Sequence, residues 1–363
     1  MSKKLYRIAA IGFAHAHMRM NLEAFASCKD RVVFVAAADV KPRISSISEQ
    51  RSTRIAGLHQ AVNLYGFKKY DDYNRLLDEN KIDIALVCSE NAFHPQVSEI
   101  LLQKGIHVVL EKPMAADMSG ALRITHAKGK SNAHVYTNWP SAWNNTIRKA
   151  KKMTDEGVIG RLYKFTYRNG DSLGPFSYGQ TLTDKEKSLE WWYQSDVGGG
   201  AMLDYCSYGA CMSCWFINQH PIEAFGLKAN YNSPYGNVED YATITVRFPS
   251  SVAILEGSWT TINTGIEPGP ILFGTEGTMV VKQSGQLYIY KTRHKKEPDL
   301  IIEPEPLPIE RNNLGKEILY HLDTGGSLFP MLDLELNLEA MSILDAGSRS
   351  ANTKKMEAIN NIL

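Results

Sequence analysis

The sequence predicts an α/β protein, with an N-terminal doubly wound parallel sheet followed by an α+β domain carrying a large, mostly antiparallel open sheet. Two patterns and one turn predict it. From Leu5 to Leu110 short apolar runs alternate with helical stretches; from Arg161 onward the chain reads as strands with few helices; and a glycine closes the first apolar run at "IAAIGFAHAHMRM". Short β-rich runs separated by helices mean βαβ units and a sheet buried on both faces. Adjacent strands joined by short turns imply antiparallel pairing.

The N-terminal runs are "LYRIAAI", "RVVFVAAAD", "IDIALVC" and "IHVVL", with helices expected up to Ser27, through a polar stretch after Asp39, and from Pro95 to Lys104. One further helix and the strand "HVYTNW" continue the style, and a basic helix is expected from Ser141 to Glu156, ending at Gly157. Then "RLYKFTYRN", "IEAFGLKANY", "DYATITVRF", "VAILEGSWTTI", "GPILFG", "TMVV" and "QLYIY" follow as strands, interrupted by a helix from Ala201 to Asn218. Leu332 to Ser350 reads as helix, Gly170–Ser188 and Arg293–Pro308 as loop. The expected domains are residues 1–125 and 126–363, with the C-terminal helix able to pack back on the first.

At 363 residues the chain is large enough for two cores. Its 40 Lys and Arg against 39 Asp and Glu leave a net charge of +1, which argues against nucleic acid and suits a small neutral ligand. Arg7, His15 and His17 spoil the N-terminus as a signal peptide, and no run approaches the roughly 20 apolar residues of a membrane span, so a soluble, cytoplasmic protein is expected. The five cysteines are odd in number and scattered, which favours reduced thiols. Cys211 and Cys214 form a CxxC without a second pair, so no metal is expected there.

The glycine turn resembles a dinucleotide-binding fingerprint with one glycine of three. Gly12, Ala14 and His17 hold the positions where the pattern wants glycine. Ala adds one methyl at the closest approach, and the helix N-terminus still offers N–H groups to an anion. "HAH" reads as a polar helix start; alternatively His15 or His17 donates to the pyrophosphate or reaches toward a substrate. A metal-binding HxH has the least support, because no further ligand lies nearby in sequence. Asp39 follows an apolar strand 27 residues after Gly12, where a carboxylate takes the ribose hydroxyls of an adenosine; this favours NAD, with NADP possible through Lys41 or Arg43.

"NAFHPQVSEILLQKG", "IHVVLEKPMA" and "GGGAMLDYCSYG", in that order, resemble the glucose-fructose oxidoreductase/inositol dehydrogenase/MocA (Gfo/Idh/MocA) family over essentially the whole chain. The resemblance implies a Rossmann domain followed by a sheet domain. It places Lys112 between nicotinamide and substrate, with Glu111 and Pro113 shaping the strand end, and puts Asn91 and His94 beside the nicotinamide ribose. Phe13, His15 and Ser89 join Gly12, Ala14 and Asp39 as expected cofactor contacts. Gly198, Gly199, Gly200 and Asp204 match the family's glycine run and aspartate. Where most members carry histidine four residues on, this chain has Tyr208, as glucose-fructose oxidoreductase and dihydrodiol dehydrogenase-like members do.

Asp204 and Tyr208 are i,i+4 on one expected helix, and the glycines before them are expected to permit close approach to the cofactor. A tyrosine of pKa near 10 is about 4 kcal/mol short of acting as base at neutral pH. A nearby ammonium, Lys112, lowers that deficit, and in the reductive direction the neutral phenol donates without it. Lys112, Asp204 and Tyr208 are therefore the expected catalytic group. Asn138, Trp139, Arg168, Trp191 and Trp192 are expected to line the substrate cleft. The family's arginine after the tryptophan is missing here, which implies a neutral polyhydroxylated substrate.

The expected activity is hydride transfer between NAD(P) and a hydroxyl or carbonyl carbon of a sugar, sugar derivative or cyclic polyol. Two alternatives stand beside it: an NAD-dependent redox-neutral glycosidase, and a non-catalytic nucleotide-binding regulator. The open sheet is the expected face of a homodimer or homotetramer.

Overall fold

The computed structural model describes residues 4–50, 53–170, 174–176, 182–262 and 265–360. The first layer is a six-stranded parallel sheet of β1 (Tyr6–Ile11), β2 (Val32–Ala38), β3 (Lys68–Tyr70), β4 (Ile84–Val87), β5 (His107–Glu111) and β6 (Val135–Asn138) in the order β3-β2-β1-β4-β5-β6. Helices α1 (His17–Ala26), α2 (Arg54–Tyr65), α3 (Tyr73–Glu79), α4 (His94–Gln103) and α5 (Met118–Gly129) make the crossovers. β4 is buried along its whole length, as expected of a strand covered on both faces. Because α5 returns the chain beside β5, the sheet gains β6 and runs to Asn138, beyond the boundary at residue 125 read from the sequence.

The second layer begins after α6 (Asn145–Asp155). The basic helix starts later than Ser141 because Asn144 is extended and its side chain accepts the Ile147 N–H, capping the helix there. The remaining elements are β7 (Leu162–Gly170), α7 (Asp184–Ser188), α8 (Ser207–Ile217), β8 (Glu223–Ala229), β9 (Tyr241–Arg247), β10 (Val252–Ser258), β11 (Ile271–Gly274), β12 (Gly277–Val281), β13 (Leu287–Tyr290), β14 (Leu300–Ile302), α9 (Leu314–Thr324), α10 (Leu334–Thr353) and β15 (Glu357–Ala358). Nine strands form one sheet, β14-β13-β12-β11-β7-β10-β9-β8-β15, antiparallel except where β7 meets β10. Two segments read as loop depart from that reading: β14 pairs with β13 at the sheet edge, and α7 occupies the end of 170–188, of which residues 171–173 and 177–181 lie outside the described residues.

One face of this sheet is covered by α8 and α10. The approach is close: a Cβ on Gly226 of β8 would lie 2.0 Å from the Gly347 carbonyl of α10, and one on Gly209 of α8 would lie 2.8 Å from Leu255. The alternation of β-strands then sends Phe225, Leu227 and Ile254, all exposed, to the opposite face. α10 also packs on α5 and β6, and α9 on α1, so the last third of the chain braces the first sheet. Tyr6 and Arg31 both hold Asp323 of α9, at 3.0 and 2.7 Å.

Three histidines meet beside that brace. His107 Nδ1 accepts the His134 N–H at 3.0 Å, the two rings stack at 5.4 Å, and His134 meets the edge of His321 at 5.0 Å. Burial, reinforced by His134 and Lys4, pushes the His107 pKa down from 6.5 to about 4. Between those values the unfolded chain binds a proton that the folded chain does not, so the stability is full above about pH 6.5 and falls as the pH drops through the window. Urea unfolding midpoints measured across this range should fall with acidification, and a His107→Gln variant should show a shallower slope.

Candidate active site

The turn after β1 is shaped by Gly12. Its φ is +80°, and a Cβ there would come within 2.6 Å of the Ser89 nitrogen at the end of β4, so glycine is required twice over. Phe13 donates its N–H to Asp39 Oδ1 at 2.9 Å, and Ala14 donates to the Cys88 carbonyl at 2.9 Å. The N–H groups of His15 and Ala16, at the mouth of α1, have no acceptor among the described residues. Neither histidine is an exposed helix start: both are buried, and His17 Nδ1 lies 2.8 Å from Glu111 Oε1 at the end of β5. His15 Nδ1 accepts the His17 N–H at 3.0 Å, and burial, then His17 and Lys112, holds His15 well below its ordinary pKa and therefore neutral.

Lys112 follows directly on β5. Its Nζ lies 2.8 Å from Asp204 Oδ1 and 3.0 Å from the Asp204 carbonyl, with side-chain exposures of 1% and 6% for the pair. The same ammonium stands 4.6 Å from the centroid of the Tyr208 ring, and Trp139 presents its edge to that ring at 5.5 Å. Asp204 Oδ2 accepts the Trp259 indole N–H at 3.1 Å, so both carboxylate oxygens are engaged. Asp204 lies in a π-helical turn, Met202–Cys206, that runs straight into α8. The i,i+4 pair therefore does converge on Lys112. π-Helical turns inside helices are frequent at functional sites.

A side chain in the glycine run would collide with neighbouring segments. A Cβ on Gly198 would meet Asn91 and Ala116 at 2.8 Å, one on Gly199 the Trp192 carbonyl at 2.2 Å, and one on Gly200 the Glu239 carboxylate at 2.5 Å. The close approaches are to the protein's own turns. Asn91 completes this junction by donating to the Gly198 carbonyl at 2.8 Å.

Other expected site residues are placed as follows. Both ring nitrogens of the enclosed His94 face carbonyls, Pro113 O at 3.2 Å and Ser89 O at 3.1 Å; burial pushes its pKa down to about 4, so a neutral ring donates to one of them and braces the end of β5. Trp191 and Trp192 stack at 4.0 Å, and the Trp191 indole donates to the Ala14 carbonyl at 2.8 Å, so the pair sits against the glycine turn. Asn138 is committed to Asn21 and the Trp143 indole, and the Trp139 indole to Asn337. Arg168 is the outlier. It pairs with Glu256 at 3.4 Å, and strand alternation puts both on the face opposite α8, away from Lys112.

The model of the oxidoreductase family with an NAD-binding Rossmann fold matches residues 6–138, and that of the GFO/IDH/MocA C-terminal domain matches residues 147–280. The chain belongs to the Gfo/Idh/MocA family. It is 28% identical over 221 residues, 61% of this chain and 55% of the relative, to a dTDP-3,4-didehydro-2,6-dideoxy-alpha-D-glucose 3-reductase of Actinomadura kijaniata. It is 22% identical over 237 residues, 64% of this chain and 65% of the relative, to a myo-inositol 2-dehydrogenase of Thermotoga maritima. The matches thus span less than two thirds of either relative. Levoglucosan dehydrogenase, solved in complex with NADH and levoglucosan, shares the fold with a TM-score of 0.75 at 18% identity, covering 99% of this chain and 100% of that one.

In this Gfo/Idh/MocA protein the NAD-binding half fits its cofactor on two grounds. The N–H groups left at the mouth of α1 suit a pyrophosphate. At the end of β2, Asp39 Oδ1 is occupied by Phe13, Val40 and Arg54, while Oδ2 carries only an Arg54 contact at 2.9 Å and keeps acceptor capacity for a ribose hydroxyl.

Several of these residues escaped the sequence reading. Arg54 opens α2, where a cation opposes the helix dipole. Burial disfavours its charge, but the carboxylates of Asp39 and Glu90 outweigh this and raise its pKa above the ordinary value. That unfavourable placement was the available signal. Arg43, by contrast, is drawn to Asp196. Trp259 gave no signal, since nothing in "GSWTTI" says which face its indole takes. Replacing it, Trp259→Phe, strips Asp204 Oδ2 of its donor and should cost about 1.5–3 kcal/mol in urea unfolding.

Proposed function

We propose that this chain is an NAD-dependent oxidoreductase acting on a hydroxyl or carbonyl carbon of a sugar, sugar derivative or cyclic polyol, with Tyr208 as acid/base and Lys112 as its partner. The observation that carries the reading is the buried Lys112 ammonium held between the Asp204 carboxylate and the Tyr208 ring. Bound nicotinamide supplies the site of hydride gain or loss. The remaining work falls to the chain. Lys112 presents a fixed positive charge beside the Tyr208 ring, where a substrate oxygen gains or loses its proton. Asp204, with both oxygens engaged, acts as a positioning residue for Lys112.

NAD is preferred over NADP in this reading because two carboxylates, Asp39 and Glu90, face the single Arg54 guanidinium and leave the ribose end net negative. The names of the relatives, sugar reductases and an inositol dehydrogenase, support a polyhydroxylated substrate. The open face of the nine-stranded sheet, with Phe225, Leu227 and Ile254 exposed, supports pairing of two copies as a dimer or dimer of dimers. A monomeric mass by light scattering would contradict that.

A panel of sugars and cyclic polyols followed through the nicotinamide absorbance tests the activity. Turnover on at least one member is expected, and Tyr208→Phe should lower kcat on it by about 10²–10⁴ with KM little changed. Undiminished turnover in Tyr208→Phe would remove the tyrosine from the mechanism.

A further inference from the structure

We propose that His15, His17 and Glu111 form a binding site for one divalent transition-metal ion of zinc-like preference, beside Lys112. It goes beyond the oxidoreductase reading and does not depend on it. Each of the three residues offers a donor atom, and these atoms all lie within 4.8 Å of one another. The residues are 6%, 4% and 1% exposed. The third ligand was invisible along the chain, because Glu111 arrives from 94 residues beyond His17.

A second observation points to a cation. Glu111 Oε2 is buried and has no hydrogen-bond partner, while its other oxygen faces His17 Nδ1 at 2.8 Å. The Lys112 ammonium, next in the chain, is committed to Asp204. Buried carboxylates are ordinarily paired or coordinate metals. His15 Nδ1 spends its one lone pair on the His17 N–H at 3.0 Å, so an ion bound at that nitrogen would displace this hydrogen bond as well.

Two imidazoles and a carboxylate are a known donor set for zinc that keeps a position open for water or a substrate oxygen. A tetrahedral ion with bonds of about 2.0–2.2 Å holds its donors roughly 3.3 Å apart, so His17 and Glu111 would separate by about half an ångström to admit it. The ion would replace the hydrogen bond between them, with any proton there released to solvent. Its open position could take water or a hydroxyl oxygen of a polyol.

The test is direct binding to the full chain, stripped with a chelator and kept free of nicotinamide. Co²⁺ is titrated while its visible ligand-field bands are followed, and Zn²⁺ is titrated in competition with a chromophoric chelator. One equivalent should bind, and His17→Gln and Glu111→Gln should each weaken it by about 10–100-fold. His220→Gln, at an exposed histidine paired with Glu339, should leave the affinity unchanged. Circular dichroism checks that the variants fold. X-ray absorption at the zinc edge of the unaltered protein needs no variant: it should show a shell of nitrogen and oxygen with imidazole scattering. Absence of stoichiometric binding, affinity indifferent to His17 and Glu111, or a sulfur-containing shell would overturn the site.

Discussion

The buried ion pair of Lys112 and Asp204 is the constraint on which the rest of the site depends. Lys112 follows directly on β5 of the first sheet, whereas Asp204 belongs to the turn that feeds α8 on the second. Taking both charges out of water costs several kcal/mol per ion, recovered only with close geometry and full hydrogen bonding. The protein supplies both: Lys112 meets the side chain and carbonyl of Asp204, and Trp259 takes the other carboxylate oxygen. Removing one member would strand the other, at a cost of about 3–5 kcal/mol.

Much of the surrounding architecture serves to bring these two segments together. The glycine run lets the main chain of 198–200 lie against Asn91, Trp192 and Glu239 without a side chain in the way. The Trp191 indole then closes on the Ala14 carbonyl, and α10 bridges the helices of the second layer to β6 and α5 of the first. The turn after β1, the end of β5 and the turn that leads into α8 are thus held by the protein's own contacts. A preorganised site of this kind has little to rearrange during reaction.

The sheets were legible because their signals are local. Apolar runs separated by helical spacing could be read as parallel strands, and strands following one another could be read as antiparallel. α9 was missed although Asn313 caps its start and Gly325, at φ +65°, ends it; both signals were in the sequence. Of the site, Lys112, Asp204 and Tyr208 came from the family resemblance and converge as expected. What stayed hidden was what depends on distant pairing. Glu111 beside His17, Arg54 between Asp39 and Glu90, and Trp259 on Asp204 are contacts that no spacing along the chain encodes. Arg168 shows the converse, since one step of strand parity decides which face a side chain takes.

The central claim is that the turn after β1 and the end of β5 together hold a nicotinamide dinucleotide. The most direct measurement is a titration of the folded, cofactor-free protein with NADH and with NADPH, reading energy transfer from tryptophan to the nicotinamide. Trp191 and Trp192 cap the turn and Trp139 borders Tyr208, so donors are already in place. The account predicts sensitised nicotinamide emission with micromolar affinity for NADH and weaker binding of NADPH. Binding of neither nucleotide would contradict it, and would mean that Ala14 and His17 have closed the turn to a pyrophosphate.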